Sequence, residues 1–188
     1  MASRIFRLLA LSLSLITAGV YWQALMQDRL LVKVLYTDPS NSENYNKIFN
    51  GLSYYQHIEK AAVKLYNLQL QNGQLNCEEI ELAGRKLIEI NKRNTQGYYL
   101  LTACAEAKGN EQNAIELIQT AIKFDPLNTQ YLLGAAVLFL NNGDLFNAEL
   151  YLEKVKRIDP KTFNLDNIIR ALNDKKLQAK QNNIMENR

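Results

Sequence analysis

The apolar positions of this chain change pattern along its length. From Leu8 to Trp22 the sequence reads LLALSLSLITAGVYW, without a charge, and Ala24, Leu25 and Met26 extend the run. As a helix, Leu8 to Met26 covers roughly 28 Å at 1.5 Å per residue, close to the hydrocarbon thickness of a bilayer. Leu30, Leu31, Val34 and Leu35 carry helical spacing further, until Thr37-Asp38-Pro39-Ser40-Asn41 breaks it, because Pro ends helices and its neighbours favour turns. Beyond that break the apolar residues recur at the three-to-four spacing of amphipathic helices. Ile58, Ala61, Ala62, Leu65 and Leu68 make one stripe. Ile80, Ala83, Leu87 and Ile90 make the next. Ala114, Ile115, Ile118, Ala121 and Ile122 follow, then Ala148, Tyr151, Leu152 and Val155, and last Phe163, Leu165, Ile168, Ile169 and Leu172.

Part of this pattern repeats. Asn94-Thr95-Gln96 returns 34 residues later as Asn128-Thr129-Gln130, Gly109 as Gly143, Asn113-Ala114 as Asn147-Ala148, and Asp125-Pro126 as Asp159-Pro160. A fixed period of this size is the signature of a solenoid. Each period holds two helices. Tyr98 to Lys108 and Glu111 to Phe124 are expected in the first, Tyr131 to Asn141 and Asn147 to Ile158 in the second. A Gly lies at each inner turn, where a left-handed residue closes a helix.

This helix–turn–helix unit resembles the tetratricopeptide repeat (TPR) family. The resemblance rests on Leu101, Gly109, Ala114, Ala121 and Pro126 in one unit and Phe139, Gly143, Ala148 and Pro160 in the other. It departs from the family pattern at Tyr98 and Leu132, where an early Trp is usual, and at Ile118 and Leu152, where an aromatic is usual. It covers 94–160. The expected architecture is all-α, with a single N-terminal transmembrane helix, a right-handed TPR-type solenoid and a C-terminal capping helix. The boundaries read as follows: 1–36, anchor and helical extension; 37–53, linker and a short helix around Tyr45–Leu52; 54–172, solenoid; 173–188, a polar tail expected to fray. Within the solenoid, 54–93 is a degenerate unit, 94–127 and 128–161 are clear units, and 162–172 is the cap, since about three units are needed to bury a repeat's faces.

The resemblance implies a groove lined by the first helix of each unit, here Gln96, Tyr99, Ala103 and Glu106, then Gln130, Leu133, Val137 and Leu140 or Asn141. That surface is apolar and lacks the Lys pattern with which chaperone-binding relatives hold a terminal carboxylate. It suits an amphipathic or extended peptide. An equal alternative is that Leu133, Val137 and Leu140 simply pack against a flanking helix.

Composition narrows the chemistry. The chain has 188 residues, 22 Lys plus Arg against 19 Asp plus Glu, and a net charge of +3, which gives no clustered basic surface for nucleic acid. One His and two distant Cys do not make a zinc site, and there is no phosphate-binding Gly-rich motif. His57 is expected on a solvated helix face, and Glu78, Glu79 and Glu81 read as acidic charge at a helix start. No cofactor, metal site or catalytic residue is expected, and the protein is read as a binding module rather than an enzyme. Cys77 would open one helix and Cys104 would lie late in the next. Antiparallel packing would bring them within reach of a disulfide, the alternative being two small buried thiols.

Arg4 and Arg7 before the apolar run, and Tyr21 and Trp22 near its end, orient the expected span with its N-terminus inside. The partners would then be the lipid bilayer through residues 5–26 and a protein or peptide near the membrane. The repeats would face the exported, periplasmic side of an inner membrane. A cleaved signal peptide and a buried core helix are the rival readings of the N-terminal run. The expected role is a tethered scaffold in assembly of an envelope complex such as a pilus, secretion or maturation apparatus. The alternative is an accessory subunit, or detached exported repeat domain, of a membrane glycan or polysaccharide ligase.

Overall fold

The computed structural model describes residues 2–36, 51–52, 55–71, 73 and 75–186, with the side chains of 2–15, 34–36, 55, 68 and 183–186 outside that description. Eight helices are present among the described residues: α1 (Ala2–Tyr36), α2 (Tyr55–Gln71), α3 (Cys77–Ile90), α4 (Thr95–Ala107), α5 (Glu111–Phe124), α6 (Thr129–Asn141), α7 (Leu145–Ile158) and α8 (Leu165–Glu186). No strand occurs among the described residues. The chain divides into two compact units, Met1–Gln74 and Leu75–Arg188. The boundary falls in the turn predicted between the two helices of the degenerate unit. The short helix expected around Tyr45–Leu52 lies almost wholly outside the described residues.

In the first unit, α1 packs on α2. Leu31 of α1 and Ile58, Ala61, Ala62 and Leu65 of α2 are buried. Gln27 is also buried, and its Nε2 donates to the Gly51 carbonyl at 3.1 Å. His57 corrects the sequence reading. Its side chain is only 14% exposed, and Nε2 lies 3.1 Å from Asp28 Oδ1. The periodicity of α2 alone could not show that α1 covers this side.

The predicted transmembrane helix is not found: no helix among the described residues is long and apolar enough to cross a membrane. The first part of the apolar run, 8–15, lies outside the described side chains. Among the described side chains the run continues from Ile16 to Met26. Gln27, Asp28 and Arg29 follow at once. Ile16, Val20, Tyr21, Trp22 and Met26 are all exposed.

In the second unit, each helix packs against the next in sequence from α3 to α8. The repeat sets the local geometry. Asn94 and Asn128 cap α4 and α6; the Asn128 side chain accepts from the Gln130 amide at 3.1 Å and the Tyr131 amide at 3.4 Å. Asn110 and Asp144, again 34 apart, cap α5 and α7. These caps explain why α4, α6 and α7 start two or three residues earlier than the apolar periodicity alone predicts. An Asn128→Ala substitution is expected to cost about 1 kcal/mol, read by urea denaturation; an unchanged midpoint would remove the cap from the list of stabilising contacts. Gly109 (φ 71°) and Gly143 (φ 79°) close α4 and α6 in the same way. In each, the amide one residue beyond the Gly donates back into the helix: Asn110 to Ala105 at 2.8 Å and Asp144 to Phe139 at 2.9 Å.

Between α3 and α4 the backbones approach through Gly84 and Gly97. A Cβ on Gly97 would lie 2.8 Å from the Gly84 carbonyl oxygen, and a Cβ on Gly84 would lie 3.0 Å from the Gly97 carbonyl oxygen. Further along, Ala114, Ile118, Ala121, Leu132, Ala135, Ala136, Ala148, Leu152 and Val155 form a continuous core. Leu165 and Leu172 of α8 close it at the C-terminal side.

The polar tail is a second correction. Instead of fraying after residue 172, α8 continues to Glu186. Residues 173–186 contain no Gly or Pro, and a helix already nucleated by packing extends at little cost. Lys175 Nζ donates to the Leu140 carbonyl at 2.7 Å, and Lys176 pairs with Glu149 at 2.6 Å.

Candidate functional site

The site is a cleft of about 500 Å³ in the second unit, lined by α4, α6 and the turn that leads into α8. Tyr99 and Glu106 come from α4, Gln130, Leu133 and Val137 from α6, and Phe163 and Ile168 from the turn and α8. Five of the eight groove residues read from sequence therefore share one cavity: Tyr99, Glu106, Gln130, Leu133 and Val137. Gln96, Ala103 and Leu140 do not line it. Gln96 Oε1 accepts from the Tyr131 hydroxyl at 3.4 Å, and Leu140 is buried in the core.

The helical spacing of Leu133 and Val137, four apart, places both on one face of α6. Gly134 beside them keeps the floor low, with Tyr99 and Ile118 just beneath. Tyr99 is fixed from two sides. Its ring lies 5.2 Å from that of Tyr131, and its hydroxyl oxygen accepts from Gln130 Nε2 at 3.4 Å. Glu106 is the one charged residue of the lining, and Asn141 Nδ2 donates to it at 3.4 Å.

Phe163 was expected on the buried face of the capping helix. It lies instead before α8 begins and is 84% exposed, at the rim of the cleft. The turn that carries it is held by its own hydrogen bonds. Asp159 Oδ1 accepts from the Lys161 amide at 3.0 Å, and the Thr162 hydroxyl donates to the Asp159 carbonyl at 2.8 Å. Asn164 adopts φ 66°, the left-handed region that Asn tolerates. Sequence spacing missed this residue because the apolar periodicity of α8 continues by chance through a turn. The signal that could have found it is the Asn164-Leu165 start, with a turn-forming Asp159-Pro160 just upstream.

The acidic cluster after Cys77 separates into distinct roles. Glu79 is buried. Glu81 pairs with Lys108, the residue that follows α4, and with Arg85 at 3.2 Å; the Lys108 ammonium, more than any other influence, holds its carboxyl below the ordinary Glu range. No group of three or more potential metal-ligating side chains occurs among the described residues. Cys77 and Cys104 are brought together as free thiols, and neither lines the cleft.

No protein-family model matches the chain, and no curated protein sequence matches it. Solved structures do. The MamA protein is similar at 14% identity and a TM-score of 0.58, over 79% of this chain and 84% of that one. The type III secretion translocator chaperone SycD of Yersinia enterocolitica, in complex with a peptide of the translocator YopD, is similar at 20% identity and a TM-score of 0.53, over 66% of this chain and 93% of that one. An O-GlcNAc transferase of Thermobaculum terrenum is similar at 18% identity and a TM-score of 0.56, over 64% of this chain, but this chain spans only 23% of that enzyme. The fold is a TPR-type helical repeat.

Proposed function

We propose that this protein is a scaffold that holds a protein or peptide partner in the cleft between α4, α6 and the 159–164 turn. The observation that carries the reading is Phe163: a large aromatic side chain carried on a hydrogen-bonded turn, almost fully exposed, beside the apolar floor of Leu133 and Val137. Exposing such a ring in water is unfavourable, and a partner's apolar side chain relieves that cost. Glu106, the single charge of the lining, favours a Lys or Arg on the same segment. An apolar segment with a neighbouring cation is therefore the occupant. The peptide complex of the structurally similar SycD supports the fold's suitability for this task.

The uncharged run Leu8–Trp22, with Arg4 and Arg7 before it, supports a finer reading. In it the N-terminal segment tethers the scaffold to a membrane, the repeats lie on the exported side, and the partner belongs to an envelope complex under assembly. Tethering would raise the effective concentration of a membrane-bound partner.

A photo-crosslinking amino acid at position 137 of the full chain tests the cleft. A discrete adduct is expected whose crosslinked peptide carries an apolar segment with Lys or Arg; absence of any adduct in the native cell would overturn the reading. Fractionation tests the tether separately. Full-length chain is expected to stay with membranes through alkaline carbonate washing and a chain lacking residues 2–26 to be released; release of both would remove the tether and leave the cleft untouched.

A further inference from the structure

Cys77 and Cys104 lie 27 positions apart, on different helices. Cys77 is the first residue of α3, directly after the Asn76 cap, and is half-buried. Cys104 is fully buried on α4. Their contacts are reciprocal. The Cys77 Sγ lies 3.8 Å from the Cys104 carbonyl oxygen, and the Cys104 Sγ lies 3.7 Å from the Cys77 carbonyl oxygen. Each sulfur thus reaches across the seam to the backbone of the other residue. The same two helices are joined by the Gly84–Gly97 approach and, beyond the end of α4, by the Glu81–Lys108 ion pair. No other cysteine exists in the chain.

We infer that Cys77 and Cys104 form a dithiol site that a low-molecular-weight disulfide converts to an intramolecular disulfide. Accessibility sets the order of events. The partly exposed Cys77, as thiolate, attacks one sulfur of the small disulfide, forming a mixed disulfide and expelling one small thiolate, which takes up a proton. Cys104 then gives its proton to solvent and attacks the Cys77 sulfur, and the second small thiol leaves. Two protein thiols and one small disulfide become one protein disulfide and two small thiols, so the protein loses two electrons and two protons. Burial, and then the Cys77 side chain beside it, push the Cys104 thiol well above its ordinary range. It therefore suits the second, intramolecular step rather than the first. The bridge would lock α3 to α4, the first two helices of the second compact unit, and leave the cleft unaltered.

The test exposes the full-length chain, reduced and then freed of reductant, to oxidised glutathione. The expected product is monomeric, lighter by about 2 Da, without free thiols on denaturation. It should melt on the order of 10 °C above the reduced form, because the bridge restricts the unfolded chain. Cys77→Ser should remove the rise without altering the reduced melting point by more than a few degrees. Three outcomes would each overturn the inference: two thiols still free, a stable glutathione adduct on Cys77 beside a free Cys104, or a disulfide-linked dimer.

Discussion

Gly97→Val is expected to destabilise the repeat unit by about 3 kcal/mol or more. The helix itself does not demand glycine at this position. The demand comes from the neighbouring helix, because a Cβ here would sit 2.8 Å from the Gly84 carbonyl oxygen, 2.8 Å from the Ile88 Cγ1 and 3.1 Å from the Asn94 Oδ1 that caps α4. The first of these is backbone and can yield only if α3 moves. A valine adds two methyl groups to that conflict and disturbs the cap that Asn94 gives to the Gly97 amide. Gly109→Ala is the control. It has nothing within 4 Å and meets only the penalty of a left-handed backbone, about 1 kcal/mol. Urea denaturation of both variants, followed by circular dichroism, decides the matter. If Gly97→Val loses no more than Gly109→Ala, the two helices are not held at backbone contact.

Leu133→Asp is expected to weaken capture of the cleft partner by about 100-fold or more. The substitution removes an apolar floor and places a carboxylate near Glu106, so a partner must bury an unpaired charge on arrival. Leu133 is half-buried and also touches the core, so a loss of binding could reflect a loss of fold. Phe163→Ala separates the two. That side chain is 84% exposed, so its removal should leave stability within about 0.5 kcal/mol while weakening binding by about tenfold or more. Titration of the partner segment identified at position 137, with melting curves for each variant, gives both readouts. Binding unchanged by Phe163→Ala would rule out the rim as an anchor, and binding unchanged by both variants would rule out the cleft.

Where one helix's own spacing held the information, the sequence was legible. The bounds of α3 and α5 follow from their apolar stripes and the turn residues around them, and the 34-residue recurrence of Asn, Gly and Asp-Pro falls at the caps of α4 and α6 and at the turns after α4, α5, α6 and α7, whereas the Asn110 and Asp144 caps are not among the recurring residues. What required two elements at once was not legible. Gly84 and Gly97 are unremarkable singly, and only their juxtaposition gives them a role. His57 reads as solvated until α1 is placed beside α2. The polar face of residues 173–186 resembles a frayed tail until Lys175 and Lys176 find Leu140 and Glu149. The cleft shows the same division. Leu133 and Val137 announce themselves by spacing, whereas Phe163 hides in a stripe that its own turn interrupts.

The turn from Asp159 to Asn164 also bears on the kinetics of capture. Its hydrogen bonds exist before any partner arrives, so binding need not order this loop, and the encounter meets a ring already in position. The association rate should then vary little among variants of the partner segment. Differences in affinity should appear in how long the complex lasts, because what each variant changes is the depth of contact against Phe163 and the cleft floor rather than the work of assembling them.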